Sequence, residues 1–358
     1  MIGDLCRAEA FAQRLGLRLP LLMAPMAGVP ALPLAQAVSR CGGMAALGAL
    51  LMDAGAIADW VQRYRAGGGG PLQINLWVPD PAPRRDAAHE ARLRAFLGRF
   101  GPPVAATAGD APLQDFGAQC AALLEARPQA VSSIMGLYSP AFVQALRAAG
   151  IAWFANVTSV AEARAAEAAG ADVVVAQGAE AGGHRGSFDA ASARDQTVGL
   201  FALLPQVVDA VRVPVVATGG IADARGVAAA LMLGASAVQL GTALLRCPEA
   251  GISAAWANAL QGLAPEETRL TRAFSGRWGR AIATDYVHAA AAPDAPEPAP
   301  YPVQRGLSAA MREAAAVAGD VQRMQAWAGQ SAALAAELPA AARVTALWDG
   351  AQRVLAPR

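Results

Sequence analysis

Short apolar runs alternate with longer amphipathic stretches from the N-terminus to about residue 246. This alternation is typical of parallel α/β proteins, in which helices connect buried strands. Eight runs have the character of buried strands: Leu21–Ala24, Met44–Leu47, Leu72–Leu76, Ala130–Met135, Ala152–Asn156, Val173–Ala176, Val215–Ala217 and Ala237–Leu240. The helical patterns between them include Pro33–Ser39, Asp115–Ala126, Pro140–Ala148, Val160–Ala169 and Ala224–Leu233. Eight such units predict a TIM-type (β/α)8 barrel.

Glycines mark several of the predicted helix ends. Gly150, Gly170 and Gly234 each follow a helical pattern and precede a strand, as C-terminal caps do. A doubly wound open sheet is the alternative architecture, but it usually carries a GxGxxG motif after its first strand. No such motif follows Leu21–Ala24, so we favour the closed barrel.

Two regions interrupt the repeat. Residues 79–114 are rich in proline, arginine and alanine, and we expect an insertion there with one exposed helix, Asp86–Phe100. His89 lies in that helix and is expected to be a solvated surface residue. We therefore predict that residues 1–246 form the barrel with this insertion. Residues 247–358 should form a smaller, mostly helical domain that covers the barrel mouth, followed by a C-terminal tail.

The post-barrel region has its own local signals. Pro265 with Glu266 and Glu267 predicts a helix start. The proline-rich segment 293–302 predicts a stiff linker or a strap across a surface. Helical patterns resume over the last part of the chain, at Leu307–Ala318 and Val321–Leu338.

Composition excludes several classes of function. Of the 358 residues, 55% are hydrophobic. The net charge is only +1, and the Lys and Arg residues are scattered along the chain, which disfavours nucleic-acid binding. The four cysteines form no CxxC pair and there are only three histidines, so we expect no metal site. The N-terminus lacks a signal-peptide pattern, so we expect a cytoplasmic protein. We expect it to be either a monomer or a homodimer.

One uncharged stretch, Gly226 to Leu245, is long enough to span a bilayer. Gly234 divides this stretch into a helical half and a strand-like half, and Gln239 and Thr242 add polar groups. We therefore interpret it as a barrel helix followed by a buried strand, and we expect no membrane association.

The richest candidate chemistry follows the sixth predicted strand, where Gln177 opens a loop that places glycines around His184. Gly182 and Gly183 would let the backbone approach a ligand closely. Histidine has an unperturbed pKa near neutrality, which suits a catalytic base or a polarised donor at the barrel mouth. A structural histidine is the alternative, but the glycine-rich loop favours a functional role.

Two loops after the last two strands predict a phosphate site. Gly219 and Gly220 follow one strand, and Gly241 with Thr242 follows the other. Backbone N–H groups at glycine loops and helix starts bind phosphate, and barrels commonly place that site after strands seven and eight. A site for one terminal phosphate, without GxGxxG, favours a mononucleotide over a dinucleotide ligand.

Two further strand ends could face a flat ring. The segment Ala24, Pro25 and Met26 is tight and apolar, although an ordinary turn is the alternative. Asn75 offers both a donor and an acceptor to a flavin edge or ribityl chain, although it could equally cap a loop.

With these motifs the chain resembles the nitronate monooxygenase family, formerly called 2-nitropropane dioxygenases. The resemblance runs from Pro20 to about Ala333 and is carried by Met23–Ala27, Asn75–Trp77, Gln177–Gly178, Glu180–His184, Ala217–Gly220, Gln239–Thr242, Phe274–Arg277, Met324 and Trp327–Gln330. It implies FMN in a barrel, covered by a helical domain. It also implies FMN contacts from Asn75, Gln177, Gly182, Gly219, Gln239, Leu240, Gly241 and Thr242, with His184 as the active-site histidine.

The implied reaction is oxidation of an alkyl nitronate, such as propionate 3-nitronate, by dioxygen to a carbonyl compound and nitrite. The sequence departs from the family pattern at Trp278-Gly279-Arg280, where proline and alanine would be expected, so the lining of the cap could differ. Two other functions stay open: an FMN-dependent NAD(P)H:quinone or enoyl-acyl-carrier-protein reductase, and a non-catalytic barrel that binds a phosphate-bearing ligand.

Overall fold

The structure, a computed structural model, describes residues 2–29 and 32–356. Its described part contains eleven strands: β1 Leu21–Met23, β2 Ala45–Gly48, β3 Leu72–Trp77, β4 Ala130–Ile134, β5 Ala152–Val157, β6 Val173–Gln177, β7 Gly183–His184, β8 Val215–Thr218, β9 Ala237–Leu240, β10 Thr268–Thr271 and β11 Gly279–Ile282. The helices are α1 Ile2–Arg14, α2 Leu32–Arg40, α3 Ala54–Ala66, α4 Ala87–Leu97, α5 Phe116–Ala126, α6 Pro140–Ala148, α7 Val160–Ala168, α8 Leu200–Ala210, α9 Ala224–Met232, α10 Ala254–Ala259, α11 Asp285–Ala289, α12 Val303–Leu307, α13 Ala309–Ala318 and α14 Ala340–Leu355.

Eight parallel strands form the barrel, in the order β1-β9-β8-β6-β5-β4-β3-β2. The sheet closes between β1 and β2, because the Met44 N–H donates to the Leu21 carbonyl at 3.0 Å and the Met23 N–H donates to the Met44 carbonyl at 2.9 Å. All eight predicted strands coincide with observed barrel strands. The predicted (β/α)8 barrel is therefore confirmed.

The predicted helix ends are also confirmed. Gly150, Gly170 and Gly234 adopt φ values of +70°, +97° and +104°, in the left-handed region that favours glycine. Gly234 separates α9 from β9 within the uncharged stretch 226–245, as predicted. Within the described residues, no helix is long and apolar enough to cross a membrane.

Helix α1 closes the N-terminal end of the barrel. Phe11, Leu15 and Leu17 are buried in one cluster with interior side chains such as Leu22 and Phe154. The Phe11 and Phe154 rings lie 6.4 Å apart between centroids. Because this end is filled by side chains, ligand access is left to the opposite, C-terminal end of the strands.

The C-terminal helix α14 occupies the position of the eighth barrel helix. Helix α14 packs against α9 and α2, and its Val344 and Leu347 belong to the main core around the barrel. The sequence predicted only a tail here. The residues between β9 and α14 therefore form one long excursion from the barrel.

The insertion and the post-barrel residues share a hydrophobic core. Leu93 and Leu97 of α4 pack in one cluster with Phe274, Tyr286 and Met311. Helix α4 is shorter than the predicted Asp86–Phe100 and buries one face, while Asp86 caps its first turn. We call the insertion, together with the residues between β9 and α14, the cap.

The proline-rich segment 293–302 contains no helix or strand and lies across the cap surface. His89 Nε2 lies 2.6 Å from the Glu297 carbonyl, and Arg272 donates to the Pro298 carbonyl at 3.1 Å. The predicted strap is therefore observed, and His89 is a surface residue that contacts it.

Two helix predictions in the cap are wrong. Residues 265–267 form one 3-10 turn, because the chain then enters β10, which pairs antiparallel with β11. Val321–Leu338 is not a helix and contains only a 3-10 turn at Ala332–Leu334. Alanine favours helix, but tertiary contacts override that propensity here. The backbone N–H groups of Gly329 and Gln330 bond to barrel loops, which an α-helix would not permit.

Candidate active site

A cavity of about 350 Å³ lies at the C-terminal ends of the barrel strands, beneath the cap. All but one of the predicted site residues line it: Ala24, Pro25, Met26, Asn75, Gln177, Gly182, Gly183, His184, Gly219, Gly220, Gln239, Gly241 and Thr242. The exception is Leu240, which is 1% exposed and packs in the core outside the cavity. The structure thus brings together residues from the ends of five barrel strands.

The loop that carries His184 is held from both sides. Strand β7 pairs antiparallel with β11, so that His184 lies opposite Gly279. Gln177 Nε2 donates to the His184 carbonyl at 3.0 Å, and Gln177 Oε1 accepts from the Gly186 N–H at 2.8 Å. Both ends of the Gln177 amide therefore fix the loop, although the residue also borders the cavity.

The His184 imidazole is enclosed by aromatic rings. Trp77 and Trp327 each lie 4.7 Å from it between ring centroids, in edge-to-face arrangements. Its Nε2 lies 2.7 Å from the Ser275 hydroxyl of the cap. Burial, followed by the nearby positive charge of Arg277, lowers the pKa of His184 from 6.5 to about 3. The imidazole is therefore neutral at physiological pH.

The glycine loops form a narrow cradle. Gly219 and Gly220 adopt φ values of +106° and +69°. A Cβ at Gly182 would lie 2.5 Å from the Gly329 nitrogen, so only glycine fits there. A Cβ at Gly241 would meet only Ala24 and Met26, at 3.5 Å or more. The space beside Gly241 therefore belongs to the cavity and not to packed protein.

One of the two helix starts near the cradle agrees with the prediction, and the other does not. Helix α9 begins at Ala224 as predicted, four residues beyond Gly220, with Asp223 as its N-cap. Thr242 begins a 3-10 turn and not an α-helix. Its hydroxyl accepts a hydrogen bond from the Gly329 N–H at 3.0 Å, so the cap segment lies directly over this loop.

Three buried amide atoms in the cavity wall lack partners among the described residues: Gln73 Oε1, Asn156 Nδ2 and Gln239 Oε1. Unsatisfied buried polar atoms are costly, so a polar ligand is expected to complete them. Asn75 differs, because its Nδ2 donates to the Ser132 carbonyl and hydroxyl at 3.1 and 3.0 Å. Two acceptors and one donor beside a glycine cradle suit the hydroxyl groups and ring edge of an organic ligand that carries a phosphate.

The cap supplies a polar wall. The Tyr301 hydroxyl is buried and has no partner in the described ranges, and the Tyr301 ring lies 5.3 Å from that of Trp77. The pKa of Tyr301 is raised by burial, against the opposing charge of Arg305. Arg305 also lines the cavity, and no ion pair or hydrogen bond of its guanidinium is found within residues 2–29 and 32–356. These two groups could bind an anion.

Several cavity residues escaped the sequence prediction, notably Gln73, Ser132, Ser275, Tyr301 and Arg305. Gln73, Asn75 and Trp77 alternate along β3, so the two-residue strand period could have identified Gln73. The cap residues carried no comparable signal. Trp278 is absent from the cavity lining; it lies instead between Arg194 and Arg272, at 5.4 and 5.9 Å.

No group of three or more His, Cys, Asp or Glu side chains in the described part of the chain is arranged to hold a metal ion. The cavity wall is instead built from amides, glycines and aromatic rings. This composition suits an organic cofactor with a phosphate group.

Comparison with known proteins gives a consistent picture. The family model described as nitronate monooxygenase matches residues 12–349. The chain is 42% identical to a nitronate monooxygenase of Paraburkholderia phytofirmans, with 95% of this chain and 94% of that protein covered. It is 40% identical to the nitronate monooxygenase of Pseudomonas aeruginosa, covering 93% and 96%.

A similar solved structure is the nitroalkane oxidase of Streptomyces ansochromogenes. It is 36% identical, with a TM-score of 0.86, and the match covers 96% of this chain and 99% of that one. The match over nearly the whole length extends to the cap as well as the barrel. The chain therefore belongs to the nitronate monooxygenase family, a family of flavin-dependent oxidoreductases.

Proposed function

We propose that this protein oxidises alkyl nitronates with dioxygen, in an FMN-dependent reaction that yields a carbonyl compound and nitrite. The observation that carries the proposal is the placement of His184 in the wall of the same cavity as the glycine cradle. Membership of the nitronate monooxygenase family supports it.

The cradle of Gly219, Gly220, Gly241 and Thr242 would hold the phosphate of FMN through backbone N–H groups. The amides of Gln73, Asn156 and Gln239 would bond the ribityl chain and the ring edge, and the backbone of Ala24, Pro25 and Met26 would lie against the ring. When bound, FMN supplies the redox chemistry between nitronate and dioxygen.

His184 would serve two forms of substrate differently. A neutral nitroalkane must lose a proton from carbon, and the neutral imidazole can accept it. A nitronate is already ionised, so His184 need only orient it. Trp77 and Trp327 flank the imidazole and would exclude water from the reacting carbon.

The cap wall bears on the choice of nitronate. Arg305 and the Tyr301 hydroxyl are unpaired in the described structure, and both border the cavity. A charge-assisted bond to a buried or half-buried guanidinium is stronger than a neutral one. We therefore include nitronates with a second anionic group, such as propionate 3-nitronate, among the substrates.

We also propose that the cap is the substrate-covering part of the molecule. The predicted division places the barrel at residues 1–246, with the insertion at 79–114, and the covering domain at 247–358. Helix α14 lies in the second range but packs on the barrel. The covering role would accordingly rest on the segment before α14, together with the insertion.

An anaerobic mixing experiment distinguishes this proposal from the reductase alternative. Purified holoprotein is mixed with ethyl nitronate or with NADH in separate runs, and loss of the flavin absorbance is followed. We expect bleaching by the nitronate and none by NADH. Bleaching by NADH alone would favour a reductase, and a purified protein without flavin absorbance would favour the non-catalytic binding barrel.

A further inference from the structure

The Ser275 hydroxyl lies at the meeting point of three polar groups. Its oxygen is 2.7 Å from His184 Nε2 and 3.2 Å from the Arg277 carbonyl, and it accepts from the Arg277 N–H at 3.3 Å. Ser275 is only 2% exposed, so water cannot replace any of these partners freely. The direction of these hydrogen bonds therefore determines which ring nitrogen of neutral His184 carries the proton.

Only one arrangement satisfies every group. A hydroxyl has one proton to donate and two lone pairs to accept with. If the Ser275 proton goes to the Arg277 carbonyl, the lone pairs accept from the Arg277 N–H and from a proton on His184 Nε2. If the proton instead goes to His184 Nε2, the Arg277 carbonyl loses this bond and one Ser275 lone pair stays empty. Such losses in a buried site are unfavourable.

The position of Ser275 is fixed by the cap rather than by His184. Gly276 has a φ of +90°, and a Cβ there would lie 2.4 Å from the Ala299 carbonyl oxygen, so the turn requires glycine. The Arg277 side chain donates to Asp80 and to the Ser187 carbonyl. Ser275 is thus held rigidly, and His184 must adapt to it.

We propose that Ser275 is a positioning residue that holds neutral His184 with its proton on Nε2, and that Nδ1 is the atom that receives the substrate proton. This inference rests on the proposed function. Within the described residues, His184 Nδ1 makes no hydrogen bond, whereas Nε2 is engaged by Ser275. Nδ1 is therefore the ring nitrogen left for a substrate.

The proton transfer then balances simply. The C–H bond beside the nitro group breaks, its proton moves to Nδ1, and its electron pair forms the carbon–nitrogen double bond of the nitronate. The imidazole becomes an imidazolium, and the proton on Nε2 stays hydrogen-bonded to the Ser275 hydroxyl. Loss of the Nδ1 proton to solvent restores the neutral ring.

The test uses holoenzyme grown with nitrogen-labelled histidine. The chain has three histidines, His89, His184 and His288, so the spectrum is simple, and the His184→Asn variant identifies the His184 signals. At neutral pH we expect a protonated Nε2 and an unprotonated Nδ1 in the wild type. In Ser275→Ala we expect a mixture of both tautomers.

Kinetics complete the test. Ser275→Ala should lower kcat for neutral nitroethane about 10–100-fold, by analogy with the partners that orient metal-bound histidines. Turnover of pre-formed ethyl nitronate should change much less. Ser308→Ala is the matched control, because Ser308 is a fully buried serine that donates to the neighbouring Phe274 carbonyl and does not contact His184. Its His184 signals should be unchanged.

Either of two results would overturn the inference: a proton on Nδ1 in the wild type, or an unchanged tautomer and rate in Ser275→Ala with FMN bound. A wild-type enzyme that turns over no nitronate would instead refute the proposed function. The tautomer would still be read from the spectrum, so the two failures are distinguishable.

Discussion

Arg277 and Asp80 are separated by 197 residues in sequence, yet they form a two-pronged ion pair at the rim of the active site. Arg277 lies in the cap next to Ser275, and Asp80 follows β3 and Trp77. The pair therefore joins the two segments that enclose His184. The Arg277 side chain is only 3% exposed, so its positive charge is compensated by Asp80 and by a hydrogen bond to the Ser187 carbonyl.

Removal of the Asp80 carboxylate should destabilise the protein. Breaking a buried ion pair costs about 3–5 kcal/mol, because the remaining charge is left unpaired. Asp80 is 27% exposed and Arg277 keeps one bond, so for Asp80→Ala we expect about 2–3 kcal/mol. Urea unfolding of the holoprotein measures this change. The control is Asp59→Ala on α3, which removes an exposed pair to Arg63 and should cost less than about 0.5 kcal/mol. Equal losses in the two variants would contradict the assignment.

The lowered pKa of His184 predicts an unusual pH profile. An ordinary histidine base would lose activity below its pKa of about 6.5. Because the pKa of His184 is about 3, kcat/KM for neutral nitroethane should stay level between about pH 7 and about pH 5. A falling limb centred near pH 6.5 would show that the imidazole is not desolvated as described.

The same shift affects stability, with a defined sign. Between pH 6.5 and 3 the unfolded chain binds a proton on this histidine and the folded chain does not, so stability is lost as the pH falls through that window. The slope is at most about 1.4 kcal/mol per pH unit. His184→Asn should flatten this part of the curve, and unfolding free energies at several pH values would measure the difference.

Gly241→Ala tests the phosphate cradle with a minimal change. The new methyl group would make only ordinary contacts with protein, so the variant should fold. It would project into the space proposed for FMN, and overpacking by one methyl costs about 1–3 kcal/mol, or about 5–150-fold in Kd. Flavin retention after dialysis measures the loss. Gly55→Ala in α3 is the control, and equal retention in both variants would place the phosphate elsewhere.

Arg305→Met tests the anionic end of the substrate. Loss of a charge-assisted bond of about 1.5–3 kcal/mol should raise KM for propionate 3-nitronate about 10–100-fold, with a small effect on kcat. Ethyl nitronate, which has no carboxylate, should be affected less. Arg269→Met changes an exposed arginine of β10 and serves as the control. If both nitronates respond equally, Arg305 does not bind the carboxylate.

The barrel was predictable because its signals are local. Each strand is a short apolar run bounded by turn residues, and Gly150, Gly170 and Gly234 mark the helix ends that precede strands. The loop around His184 and the cradle glycines were identifiable for the same reason. Barrel topology places the C-terminal ends of all strands at one face, so the positions of these motifs after predicted strands were enough to predict a shared site.

The cap was less predictable, because its structure depends on distant contacts. The helical pattern of Val321–Leu338 is overridden by bonds from Gly329 and Gln330 to the barrel. Ser275, Tyr301 and Arg305 reach the cavity only through the antiparallel pairing of β11 with β7 and the packing of the strap. Nothing in the spacing of these residues indicates that contact.

Nitrite release by the wild type and by His184→Asn tests the central claim most directly. With ethyl nitronate and no NADH, the wild type should consume oxygen and release nitrite. His184→Asn should retain FMN, because His184 is not part of the cradle, and should lose about 10²–10⁴-fold in kcat/KM with neutral nitroethane, the usual contribution of a general base. The loss with pre-formed nitronate should be smaller. The account would be contradicted by equal losses with both substrate forms, or by a wild-type enzyme that releases no nitrite from any nitronate but oxidises NADH rapidly with a quinone.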